Sequence, residues 1–129
     1  MRQMARGLPM LKRKKGTYTI LSNRCIADHI YELVLDGYTG FITAPGQFVN
    51  IALPNFFLRR PISISDYDNY SITLVYKCVG HGTKTLSEMQ AGEKLDVLTG
   101  LGNGYHIEEG IHHPLLIGGG AGIPPLYGL

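Results

Sequence analysis

A mainly β domain of six strands with one short helix, followed by the opening of an α/β unit, is the fold class this sequence predicts. Three observations carry the prediction. Seventeen glycines and seven prolines in 129 residues interrupt the chain too often for a helical bundle. Eight tyrosines, together with many Val, Ile and Thr, favour strands. Apolar residues come in short runs bounded by turn residues. A chain of this length forms one domain and buries roughly two-thirds of its unfolded surface. No stretch approaches the ~20 apolar residues of a membrane helix. The basic N-terminus lacks the apolar core of a secretory signal. A soluble, cytoplasmic protein is expected.

The elements follow in order. Residues 17–22, TYTILS, alternate and then run apolar, which suits a first strand. IADHIYELVLDG is ambiguous: Ile26, Ile30, Leu33 and Val34 have helical spacing, whereas Tyr31, Leu33 and Leu35 share one side of a strand. The β-rich context and short length favour a strand at 29–36, ended by Asp36-Gly37. Pro45-Gly46 turns the chain into a strand at 47–53, and RPISIS and SITLVYKCV supply two more, joined by the polar turn DYDNY. GTKTLSEMQAG predicts the helix, with Thr85 and Glu88 at capping-box spacing, Thr83 as a rival N-cap and Gly92 as the C-cap. KLDVLTG is the sixth strand and LGNGYHI a glycine-rich loop. PLLIGGGAGIPPLYGL then reads as an apolar parallel-sheet strand that turns through glycines into a helix with proline in its first turn. The expected layout is a basic tail over 1–15, a β-domain over 16–112 and the start of an incomplete α/β domain over 113–129. An uncovered last strand would bring poor solubility or self-association.

Charge is unevenly placed. Arg2, Arg6, Lys12, Arg13, Lys14 and Lys15 are half of the twelve basic residues, and no acid accompanies them. The body keeps six basic and ten acidic side chains, a net charge near −4. The basic run could contact nucleic acid or acidic lipid. The absence of interleaved aromatics favours a solvated, disordered tail and no nucleic-acid partner. Cys25 and Cys78 are too few and too far apart for a disulfide framework or a paired-cysteine metal site, and are expected as reduced structural thiols. His106, His112 and His113 lack further ligands at useful spacing, so no metal is expected.

The chemistry is concentrated in three segments. In FFLRRPISISD, Arg59 and Arg60 point to opposite faces of a strand, and Pro61 offers no amide to a sheet ladder. That makes the strand an edge, or one opened at this point. Arg60, with Ser63 three residues on, suits a bidentate anion such as phosphate. Equally, Arg60 could be a surface arginine paired with Asp66 or Asp68, and both readings stand on these residues alone. Arg59 has no assigned role beyond a surface or partner-facing salt bridge. In VGHGTKTLSEM, Gly80 and Gly82 permit close backbone approach, and Thr83 leads into a helix start that favours an anion. In GGGAGIPP, the spacing of Gly118, Gly120 and Gly122 departs from the GxGxxG dinucleotide fingerprint. Two anion-friendly segments and a nucleotide-like βα start fit a dinucleotide whose phosphates are shared between elements.

Taken collinearly, RPIS, VYK, the Gly-Thr before a short helix, LGNGY and GGGAGIPPLY resemble the ferredoxin–NADP reductase superfamily. Within it they resemble the electron-transfer subunits of NAD-dependent (type B) dihydroorotate dehydrogenases. The resemblance covers about residues 15–129 and implies a six-stranded antiparallel Greek-key barrel that binds FAD. By the family's R-x-[Tyr/Phe]-[Ser/Thr] motif it assigns Arg60 to the pyrophosphate, Ile62 to packing on the isoalloxazine and Ser63 to flavin N5, with Pro61 inside the motif. Ile62 replaces the usual aromatic. Val75, Tyr76 and Lys77 match the second FAD-contacting strand, and Gly82 and Thr83 the phosphate-binding helix start. Gly118, Gly119, Gly120 and Gly122 match the NAD(H) side. No residue is assigned as a catalytic acid, base or nucleophile; Ser63 tunes the flavin.

Thr99-Gly100 stand where the resemblance calls for Gly-Pro. The rest of the nicotinamide domain and the cysteine cluster for an iron–sulfur centre are absent, and Cys25 and Cys78 do not match those ligands. A complete subunit would pass electrons from a catalytic dihydroorotate dehydrogenase partner, in pyrimidine biosynthesis, through an iron–sulfur cluster and FAD to NAD. This chain keeps the FAD portion and is not expected to be competent alone. The alternatives are a related flavin reductase subunit, of ferredoxin:NADP or hydrogenase type, and a cofactor-free β-barrel binding module.

Overall fold

The computed structural model describes residues 14–129, with the backbone alone for Lys14. Most of the basic N-terminal run lies outside the described residues. Six strands, β1 (Lys14–Ala27), β2 (Ile30–Asp36), β3 (Phe48–Ala52), β4 (Arg60–Tyr67), β5 (Ser71–Lys77) and β6 (Lys94–Leu101), close into a barrel. Around the barrel they run β1-β2-β5-β4-β3-β6, every neighbouring pair antiparallel. β6 returns beside β3 after the β3-β4-β5 meander, which is the Greek-key connection. Helix α1 (His81–Ser87) lies between β5 and β6 in sequence, and a 3-10 turn (Gly120–Gly122) leads into helix α2 (Pro124–Tyr127).

Period-two alternation builds the core. Leu33 and Leu35 of β2, Val49 and Ile51 of β3, Ile62 and Ile64 of β4, Ile72 and Leu74 of β5, and Leu95 and Val97 of β6 all face inward and are buried. Each such side chain contributes about 1.5–3 kcal/mol of burial free energy. The ambiguous stretch at 26–36 is therefore a strand from Ile30: the in-register β2–β5 ladder, with Leu33 opposite Leu74 and Leu35 opposite Ile72, outweighs its helical spacing. Fully buried Leu86 packs α1 against the same core.

Several boundaries differ from the sequence expectation. β1 is far longer than 17–22 because it pairs with β6 at one end and β2 at the other, shifting register between Ile20 and Ser22. α1 begins with Gly80 as N-cap rather than Thr83 or Thr85, and ends at Glu88. Gly92 instead turns toward β6, its amide donating to the Ile20 carbonyl. Closure also corrects the edge-strand reading of Pro61, since β4 lies between β3 and β5. No strand forms at 114–117. A closed barrel offers no free edge for it, and Leu115 and Ile117 are both 82% exposed. No helix among the described residues is long and apolar enough to cross a membrane.

Two buried phenols give the fold a pH dependence. Burial pushes the Tyr18 hydroxyl up, and it donates to the Tyr38 carbonyl. Burial likewise raises Tyr76, opposed by its hydrogen bond to Asn23. The folded state thus favours the neutral phenols, whereas the unfolded chain ionises them near pH 10. Their stabilisation is complete below that value and is lost as pH rises through the folded values. The urea midpoint should hold between pH 7 and 9 and fall above pH ~10. The Tyr18→Phe, Tyr76→Phe double variant should show a shallower fall, and an equally steep one would refute this assignment.

Candidate functional site

The barrel is closed, but one of its seams is only half sewn. Arg60, Pro61, Ile62 and Ser63 pair with Ile51, Asn50, Val49 and Phe48 of β3. On the other side, the pairing of β4 with β5 begins only at Ile64 opposite Leu74. Val75, Tyr76 and Lys77 of β5 pair with Glu32, Tyr31 and Ile30 of β2 alone. Pro61 has no amide to extend the β4–β5 ladder, and a register shift between Ile64 and Asp66 turns the strand. The result is a cleft with the RPIS segment on one lip and the VYK segment on the other.

Arg60 begins the RPIS lip and is half-buried. Its Nη1 donates to the Leu58 carbonyl at 3.1 Å, and its guanidinium lies 5.1 Å from the centre of the Phe56 ring. Among the described residues it has no carboxylate within ion-pair distance, and neither has Lys77 on the opposite lip. The pairing of Arg60 with Asp66 or Asp68 does not occur. Asp66 accepts the Tyr67 amide, and Asp68 is held by the Tyr70 and Ser71 amides and the Ser71 hydroxyl. The backbone bonds from Tyr70 and Ser71 hold the Asp68 carboxyl below its usual range. Two unpaired cations thus flank the cleft in a body that is acidic overall.

Gly82 forms the wall behind Arg60. A Cβ there would fall 2.2 Å from Arg60 Nε and 2.9 Å from Cζ, so only glycine leaves the guanidinium its place. Thr83 plays a different part: its hydroxyl accepts the Val79 amide at 2.7 Å and donates to the Val79 carbonyl at 2.9 Å, stapling the turn into α1. The Ser63 hydroxyl is half-buried with no hydrogen-bond partner among the described residues. Ile62 points into the core, 7% exposed. The Tyr76 side chain also faces inward, so the lip of β5 presents Val75, Lys77 and backbone. Val75, Tyr76 and Lys77, with Ile30, Gly120, Ala121, Ile123 and Pro124, line a largely apolar cavity of about 380 Å³. The structure thereby brings the glycine turn at 118–122 to the β5 lip. Gly118 is close to Leu126, while Gly119, Gly120 and Gly122 face open space. Cys25 and Cys78 line a separate cleft beside α1.

Arg59 has a role that local sequence did not reveal. Its Nη2 meets Asp96 Oδ1 at 3.0 Å, and its Nη1 donates to the Asn50 and Asp96 carbonyls. It rivets β3 to β6, leaving Arg60, on the opposite face, free for the cleft.

The comparisons with known proteins agree with this geometry. No protein-family model matches the chain. It is 46% identical over 125 residues to the electron transfer subunit of dihydroorotate dehydrogenase B (NAD(+)) of Bacillus pumilus, covering 90% of this chain and 48% of that protein. The corresponding subunit of Enterococcus faecalis is 43% identical over 126 residues, with 92% and 48% covered. The chain thus spans about half the length of the curated relatives it matches, and over that half it is homologous to them. Among solved structures, the NADH-dependent reduced ferredoxin-NADP oxidoreductase studied for flavin-based electron bifurcation is 32% identical with a TM-score of 0.77, over 85% of this chain and 41% of that one. The fold is the barrel of the ferredoxin reductases.

Two substitutions test the site's construction. Arg59→Ala should cost about 1–2 kcal/mol in urea denaturation, and Arg59→Lys should recover less than half, because a point charge cannot reach the carboxylate and both carbonyls. Gly82→Ala should keep or slightly raise the melting temperature, alanine gaining up to ~1 kcal/mol of helix propensity. It should nevertheless shift the Arg60 Nε–Hε resonance as the guanidinium is displaced. An unmoved resonance would refute the contact.

Proposed function

We propose that this chain, homologous to electron transfer subunits of dihydroorotate dehydrogenase B, holds FAD in the β4–β5 cleft of a cytoplasmic oxidoreductase. The observation that carries the reading is the half-opened seam flanked by two unpaired cations. The residues fit the group. Arg60 offers a planar, charged fork to the pyrophosphate, Gly82 leaves it room, and Lys77 adds a second positive charge from the facing strand. The unpartnered Ser63 hydroxyl is suited to the ring nitrogen, and Val75 and the backbone of β5 to the ring itself. Ile62 and Pro61 shape the strand that carries these groups. Thr83 keeps the turn into α1 closed, so that Gly82 stays against Arg60. When bound, FAD supplies the exchange of electrons with a nicotinamide donor or acceptor.

The turn at Gly118–Gly122 lies on the β5 side of the cleft, as an approach for NAD(H) toward the flavin requires. In a longer relative, an iron–sulfur cluster and a catalytic dihydroorotate dehydrogenase subunit would complete the path; alone, this chain would bind flavin without turning over dihydroorotate. A reductase of the ferredoxin:NADP type is the second reading, favoured by the 32% identity to the bifurcating oxidoreductase. Co-expression with a dihydroorotate dehydrogenase catalytic subunit separates them, since only the first reading expects a stable complex.

Purified chain titrated with FAD should develop the visible bands of bound oxidised flavin and saturate. Arg60→Ala should raise the dissociation constant roughly 10- to 100-fold, the worth of hydrogen bonds to a charged group. Ser63→Ala should leave affinity within about threefold, a single neutral hydrogen bond, and shift the bound flavin's potential. Unchanged affinity in Arg60→Ala would overturn the phosphate assignment. A wild-type chain that shows no saturable FAD binding would favour the cofactor-free module.

A further inference from the structure

Helix α1 is held at both ends, and the two attachments do different work. In its first turn, Gly82 packs against the Arg60 guanidinium. At its other end, Asn23 of β1 spends both amide hydrogens, donating to the carbonyl of Leu86 in the last turn at 2.8 Å and to that of Met89, just past the C-cap, at 3.0 Å. The Leu86 carbonyl already accepts the Met89 amide at 3.1 Å, so Asn23 adds a side-chain anchor from β1 to the end of the helix and the turn that follows it. The Asn23 oxygen accepts the Tyr76 hydroxyl at 3.0 Å. Tyr76 sits between Val75 and Lys77 on the β5 lip, its ring stacked on Tyr31 at 5.6 Å and 18°. One side chain therefore joins β1, the β5 lip and the helix that backs Arg60.

A seven-residue helix is too short to hold a position by itself. The Thr83–Val79 bonds fix its first turn locally and buried Leu86 keeps it on the barrel, but apolar contact has no direction and does not set the angle of the far end. Hydrogen bonds are directional, and those from Asn23 set the angle. We infer that Asn23 is a positioning residue that holds the Gly82–Arg60 wall at a set distance from the β5 lip, and so sets the width of the cleft at its phosphate end. This rests on the flavin reading of the cleft. The ring would lie against the β5 lip and Ser63, the pyrophosphate against Arg60 in front of Gly82. Displacement of α1 should therefore weaken the phosphate end and spare the ring end.

FAD and riboflavin separate the two ends, because riboflavin carries the ring without the pyrophosphate. Asn23→Asp keeps the shape and can still accept the Tyr76 proton, but it has no hydrogens for Leu86 and Met89 and repels their carbonyls. With both ligands titrated by flavin fluorescence, Asn23→Asp should weaken FAD about tenfold or more and riboflavin by no more than about twofold. Tyr76→Phe, which keeps the stack and loses only the hydroxyl, should lower the FAD-to-riboflavin preference in the same direction and by less. Equal losses for both ligands in Asn23→Asp would mean general loosening and overturn the inference, as would unchanged FAD affinity. Should Asn23→Asp fail to fold, Tyr76→Phe decides, and an unchanged preference there overturns the positioning role. A wild-type chain that binds neither flavin overturns the flavin reading and this inference together. Wild-type binding with an unaltered preference in both variants overturns the inference alone.

Discussion

Closure of the barrel and its opening between β4 and β5 govern the site in this structure. A closed antiparallel barrel satisfies each strand on both sides and abolishes edges. Between Arg60–Ser63 and Val75–Lys77 that rule is suspended, because a proline without an amide stands where the ladder would continue. The sheet gives up hydrogen bonds along a few residues and gains a cleft whose lips are main chain and charge. Closure elsewhere keeps that opening from spreading: β4 remains paired with β3 along the whole RPIS segment, and β5 with β2 along the whole VYK segment. A ligand that lies in the cleft meets two rigid strands.

The polar residues divide into those that hold the barrel and those left over. Arg59 is tied to Asp96, Arg24 to Glu32, and Lys84 reaches Glu88 within α1. Arg60 and Lys77 have no such acid among the described residues. The adjacent arginines do opposite jobs: Arg59 stands just before β4, and Arg60 begins it. One meets a carboxylate on β6; the other meets only an aromatic ring, a carbonyl and a glycine. Arg60 therefore keeps its charge available, with its orientation limited by the Phe56 ring and by the absence of a side chain at Gly82.

Homology over half the length of the dihydroorotate dehydrogenase electron transfer subunits, and a shared barrel with ferredoxin reductases, fit this division of labour. The barrel supplies position and electrostatics, and a cofactor would supply the redox chemistry. The turn at 118–122 lies beside β5, and the short helix that follows packs on β4, with Gly128 against the Ser65 carbonyl. The stretch before it, 114–117, stays exposed and outside any strand.

Much of the fold was legible in the residues themselves. Alternating apolar positions marked six strands, glycine and proline marked the turns, and the arginine–proline pair marked a strand that stops pairing. These are local signals, set by side-chain period and backbone stereochemistry, and they survive without knowledge of neighbours. What only the tertiary structure decided was who meets whom. The Arg59–Asp96 and Arg60–Gly82 contacts join residues far apart in sequence, and no spacing rule points to either. Asn23 was hidden for a sharper reason. The register shift between Ile20 and Ser22 reverses the facing of β1, so that an asparagine sits opposite inward-facing Leu33, where simple alternation from Tyr18 and Ile20 puts it outside. A single extra residue in a strand changes which side chains reach the interior, and pairing with the neighbouring strands decides where that residue is accommodated.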